Sequence, residues 1–154
     1  MIQRIQSLYL LLSALILIPV YSKVLAKLQI SEDLFVNFYH NRMVGSNTEI
    51  YDKISTWPVT VLLTLIIVIT LTALFQFKNR IRQIRLCVFN IILQFGLIGL
   101  IYFYTKYTLH KSGGIQSVFM WPVLLPFITI VLTYLAIKKI QRDELLVRSA
   151  DRIR

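Results

Sequence analysis

The chain has 154 residues, 56% of them hydrophobic, and its 17 Lys and Arg against 7 Asp and Glu give a formal net charge of +10. That length leaves room for one domain, and the single cysteine, Cys87, excludes an intramolecular disulfide and any cysteine-based metal cluster. In a soluble protein such basicity would suggest nucleic acid; here the charges are kept out of four long apolar runs, which points to a membrane instead.

The runs cover about 5–22, 57–77, 86–105 and 119–137, and none holds a Lys, Arg, Asp, Glu or His. Each is close to the ~20 residues that a helix needs to cross ~30 Å of hydrocarbon. The expected fold class is an all-α membrane protein, a four-transmembrane-helix bundle forming a single membrane domain over 1–154. Outer loops then fall at 23–56 and 106–118, an inner loop at 78–85 and a tail at 138–154. Eleven of the 17 basic residues lie before the first run, between the second and third, and after the fourth. The bias of Lys and Arg toward cytoplasmic segments places both termini inside.

The first run opens after Arg4, carries Tyr9 and Tyr21 near its two ends, and has Pro19 where the helix nears the interface. Val24-x-Ala26 loosely fits a signal-peptide cleavage site, but the long apolar run and Lys23 just before the cut argue that the span is kept. Beyond it the period changes. Leu28 and Ile30, then Leu34, Val36 and Phe38, alternate around the turn residues Ser31 to Asp33. They predict a small β-hairpin, or two extended arms, on the outer face. The stretch 41–52 reads as loop.

Trp57-Pro58 opens the second run, with tryptophan at the headgroup level and proline in the first turn. The short inner loop makes the second and third runs a helical hairpin. The third run holds the most polar intramembrane positions, Asn90 and Gln94, at i and i+4 on one helix face, followed by Gly96 and Gly99. Two amides there are expected to act as glue between helices beside small residues; lining a solute path is the sharper alternative. Ser112-Gly113-Gly114 is a flexible turn, and His40 and His110 each stand alone. The fourth run begins near Trp121-Pro122, and Pro126 one turn later suggests a bent or loosened outer half. The tail, QRDELLVRSADRIR, continues the helix, with Glu144–Arg148 and Arg148–Asp151 at pairing distance along it.

Three segments carry a resemblance: the opening MIQRIQSLYLLL, the segment FKNRIRQIRLCVFNIIL and the closing RDELLVRSADRIR. Together they resemble a four-helix family of the Bacteroidota catalogued as a domain of unknown function. The resemblance implies a bacterial inner-membrane location; it implies no activity, substrate or catalytic residue.

No nucleophile has a base at helical spacing, and no set of carboxylates and histidines converges within a run, so an enzyme is not expected. No cofactor, metal or nucleic acid is expected either. The anticipated partners are anionic headgroups on the cytoplasmic side and a protein, either another membrane subunit or a second copy. Arg82, Arg85, Arg142, Asp143, Glu144, Arg148 and Asp151 are the candidate docking residues of an accessory or scaffold subunit. A small homo-oligomeric transporter for a neutral solute or lipid, lined by Asn90 and Gln94, is the alternative. Proton coupling would need an ionisable intramembrane residue, and the runs hold none.

Overall fold

The computed structural model describes residues 3–31, 34–45, 55–76 and 79–151. Four α-helices form the bundle: α1 (Gln3–Ser22), α2 (Trp57–Phe75), α3 (Arg80–Lys111) and α4 (Leu125–Asp151). Each contains a stretch long and apolar enough to cross a membrane. Unlike those of a water-soluble bundle, the helices are apolar on their outer surface as well as in the core, and a few polar side chains are buried between them. On α3, Ile92 and Phe95 are 61% and 56% exposed, whereas Asn90 and Gln94 are 1% and 0% exposed. A belt of exposed Leu, Ile, Val and Phe would be a liability in water and is the ordinary outer surface in lipid.

The expected hairpin is present as part of a larger element. Strands β1 (Ala26–Ser31), β2 (Leu34–Phe38), β3 (Met43–Gly45) and β4 (Gln116–Phe119) make an antiparallel sheet in the order β3-β2-β1-β4. Alternation works as the pleat requires, with Ala26 and Leu28 buried and Lys27 between them exposed. Strand β3 falls within the stretch 41–52 that reads as loop, and β4 comes from the far side of α3. Both are short and owe their pairing to β2 and β1.

The sheet closes one end of the bundle. Leu28, Val36, Phe38 and Met43 join Leu17, Val20, Val59, Leu63, Leu97 and Ile101 in one apolar cluster. Helix α3 is longer than its apolar run. At 32 residues it extends about 48 Å, and its last turns run past the apolar stretch and carry the sheet. Phe38 stacks on Tyr104 with ring centroids 6.4 Å apart, and the Thr108 hydroxyl lies 3.4 Å from Met43 Sδ.

The Ser112-Gly113-Gly114 segment is a defined helix stop. Gly114 N–H donates to the Leu109 carbonyl at 2.9 Å and Gly113 N–H to that of His110 at 3.4 Å. Gly113 has φ +63°, completing the 6→1 and 5→2 pattern that ends a helix through a left-handed residue. The two prolines of the fourth run do not bend a helix midway. Trp121–Leu124 form a 3₁₀ turn containing Pro122, and Pro126 is the second residue of α4, where its missing N–H breaks no helical bond.

Candidate functional site

Two polar constellations stand out in the bundle; the other buried polar side chains among the described residues are Thr56, Thr105 and Thr108. The first is a layer across its middle. Ser13 on α1, Thr70 on α2, Asn90 and Gln94 on α3, and Thr129 and Thr133 on α4 are all buried. On one side lies the cluster that includes the sheet; on the other lies a smaller one of Leu10, Ala73, Cys87, Ala136, Ile137 and Ile140. All four helices therefore switch from apolar to polar and back at the same depth.

Most of the hydroxyls satisfy their own helices. Ser13 donates to the Leu10 carbonyl at 2.8 Å, Thr70 to that of Ile66 at 2.7 Å and Thr133 to that of Thr129 at 2.8 Å. The amides tie helices together. Asn90 Nδ2 donates to Thr70 Oγ1 at 2.7 Å, joining α3 to α2. Gln94 Oε1 lies 2.9 Å from Thr129 Oγ1, joining α3 to α4, although the one hydroxyl proton of Thr129 is shared with the Pro126 carbonyl, also at 2.9 Å. Asn90 Oδ1 and Gln94 Nε2 are buried with no hydrogen-bond partner among the described residues. Fully buried Leu97 and Ile101 cover the layer on the sheet side, and Leu10 and Ile140 on the other.

The second constellation lies at the end of the bundle remote from the sheet, where the basic residues gather. Gln6 Nε2 donates to the Asp143 carboxylate, tying the start of α1 to the extension of α4. Arg80, at the start of α3, donates from Nη1 to the Asp143 carbonyl at 3.1 Å and lies 3.7 Å from Glu144 Oε2. Gln83 is buried one turn into α3. The segments QRIQ, NRIRQ and RDELL, far apart in the chain, meet at this clamp.

The clamp divides the candidate docking residues. Asp143 is buried and its carboxylate is occupied within the chain, and Glu144 is held at Arg80. Arg82, Arg85 and Arg142 are exposed. Arg148 and Asp151 lie on α4, with their side chains outside the described residues. Sequence reasoning did not single out Gln6 or Arg80. Gln6 carries a faint signal as an amide at the start of an apolar helix, whereas Arg80 is indistinguishable from its basic neighbours until α4 is packed beside it.

A family model described as Domain of unknown function (DUF4293) matches residues 2–153. No curated protein matches the chain.

Proposed function

We propose, from the premise that this chain belongs to the family described as a domain of unknown function (DUF4293), that it is a non-catalytic accessory or scaffold subunit of a membrane protein complex. It would be a multi-pass protein of the bacterial inner membrane, in the Bacteroidota, with both termini cytoplasmic. The asymmetry of Lys and Arg supports that orientation, because the clamped end carries most of them.

One observation carries the subunit reading. The clamp of Gln6, Arg80, Asp143 and Glu144 fixes the start of α1, the start of α3 and the extension of α4 into one rigid platform. Arg82, Arg85 and Arg142 remain exposed on it, and α4 runs 14 residues past the end of its apolar run at 137, about 21 Å of helix. Leu145 on that extension is 68% exposed beside these charges. A preorganised surface of arginines with an apolar anchor suits a protein partner, since little ordering cost remains to be met on binding.

The test is purification of the tagged chain from native membranes at native expression in mild detergent, with quantitative mass spectrometry. A stoichiometric partner is expected, and it should be lost from Arg82→Glu combined with Arg85→Glu while helix content stays unchanged. Absence of any stoichiometric partner, or its full retention by that variant, would count against the docking surface.

The polar layer favours a second reading, a homo-oligomeric transporter for a neutral solute or lipid. The open amide positions of Asn90 and Gln94 could bind a hydrogen-bonding solute. The fully buried apolar residues on both sides of the layer favour packing over passage in this conformation. Solute flux in proteoliposomes that is abolished by Asn90→Leu with Gln94→Leu would reverse that preference.

A further inference from the structure

We infer that the groove between α1 and α4 at the basic end binds the phosphodiester headgroup of an anionic membrane phospholipid. The groove has a volume of about 290 Å³ and is lined by Tyr9 from α1 and by Leu135, Lys138, Lys139 and Arg142 from α4. Steps of three, one and three residues place these four α4 positions on one face of the helix. They are also graded along its axis. Leu135 belongs to the apolar run, the two lysines follow within about one turn, and Arg142 lies a further turn out. An amphiphile lying along the bundle meets apolar carbon first, then two ammonium groups and a phenol, then a guanidinium.

The chemistry of that series fits a phosphodiester carried on an acyl chain. Arginine presents a planar fork that matches two phosphate oxygens, and lysines act beside it as point charges. Tyr9 adds a hydroxyl that can donate to a third oxygen. Basic pockets between helices at the cytoplasmic interface are the usual form of an anionic-headgroup site. Among the described residues the chain does not neutralise the groove itself. Asp143 follows Arg142 in sequence, but its carboxylate is turned to Gln6. Among the described residues none of the three cations is ion-paired within the chain. Lys138 Nζ lies 5.1 Å from the centroid of the exposed Tyr134 ring, which holds it toward the outer surface of the bundle, where a lipid would arrive.

The inference rests on the membrane reading and is independent of any protein partner. The full chain in a neutral detergent is titrated with dihexanoyl phosphatidylglycerol, with phosphatidylcholine of the same chain length, and with inorganic phosphate. Thermal melting and native mass spectrometry report binding. A saturable rise in Tm with phosphatidylglycerol is expected, with at least tenfold weaker binding of phosphatidylcholine and no competition from inorganic phosphate. Lys138→Gln with Lys139→Gln should weaken phosphatidylglycerol binding about thirtyfold, from the usual attraction of two basic residues to an anionic headgroup. Arg82→Gln with Arg85→Gln should leave it unchanged.

Equal binding of phosphatidylcholine would overturn the site. So would an equal loss in the Arg82 and Arg85 variant, which would mean diffuse attraction to a basic surface. Saturation by inorganic phosphate would assign the groove to the free anion and overturn the lipid. If the double lysine variant does not fold, Tyr9→Phe and Lys139→Gln are tested singly; weaker binding in both supports the groove and unchanged binding in both overturns it. Partner capture is read through Arg82 and Arg85, so the two proposals fail separately.

Discussion

Gln6 donates a hydrogen bond to the carboxylate of Asp143 across 137 positions of sequence, and both side chains are buried. This contact joins the first helix to the last at the charged end of the bundle. Arg80 completes it from the third helix. The docking surface proposed above stands on that clamp, so its stability is the first thing to measure.

Asp143→Ala should destabilise the bundle by about 1–3 kcal/mol, because the buried Gln6 amide would lose its carboxylate acceptor, whereas Arg80 keeps its bond to the main-chain carbonyl at 143. Asp143→Asn keeps a carbonyl oxygen that can accept from Gln6 and should cost about 1 kcal/mol or less. Unfolding by dodecyl sulfate in mixed micelles, followed by circular dichroism, separates the two. Equal costs would mean that the carboxylate charge, not the hydrogen bond, holds the clamp.

In the polar layer the expected costs are small. Asn90→Leu and Gln94→Leu should each change stability by about 0.6 kcal/mol and by no more than ~1.7 kcal/mol. Thr70 retains its bond to the Ile66 carbonyl and Thr129 its bond to that of Pro126, so neither hydroxyl is orphaned. The same unfolding assay checks this. A loss several times larger would show that the layer acts as one cooperative network.

Gly113→Ala should cost about 1–2 kcal/mol, since φ +63° places a Cβ against the following carbonyl. Gly114→Ala should be costly for a different reason. Its Cβ would lie 2.7 Å from Leu109 Cδ1 and 3.2 Å from the Gln29 carbonyl oxygen, at the junction of α3 with β1. Hydrogen exchange in β1 and β4 should rise in both variants while the middle of the bundle stays protected. Uniform exchange across the bundle would contradict a local role for this turn.

His40 makes the sheet end sensitive to acid. Burial lowers its pKa below the ordinary 6.5, its Nδ1 is buried without a partner among the described residues, and its ring meets Tyr21 edge-on at 5.2 Å between centroids. The folded state thus favours the neutral imidazole, and the unfolded chain binds a proton first as pH falls. Stability from this group is complete above about pH 6.5 and is lost as pH drops through the lower folded value. Protection of β2 and β3 should fall between pH 7 and pH 5, and His40→Gln should flatten the dependence. An unchanged slope in that variant would remove His40 as the cause.

The helices were legible because each apolar run is long and free of charge, a signal that depends on no neighbour. The hairpin was legible from the alternation around residues 28–38, where the pleat alone decides which side chains face inward. Strands β3 and β4 were not. Three or four residues carry too little periodicity; Met43–Gly45 pairs locally with β2, and Gln116–Phe119 reaches β1 only because α3 brings the chain back to the sheet. The prolines signalled a loosened outer end, and packing decided its form: a 3₁₀ turn over Trp121–Leu124, with Pro126 in the first turn of α4.

Asn90 and Gln94 were visible as two amides on one helix face, but their partners Thr70 and Thr129 were not, because threonines in apolar helices look alike until a neighbour selects one. Asp143 was singled out for its charge, and packing turned that charge inward to Gln6.

Composition and hydrophobic run length by themselves determined four helices of membrane-crossing length and the uneven placement of charge, because both follow from the transfer of single residues between water and hydrocarbon. Only the tertiary structure decided which polar groups meet in the middle layer, which charges lock the basic end and which remain outside to line the groove. Those outcomes depend on the relative depth and rotation of four helices, which are set by packing between residues far apart in the chain.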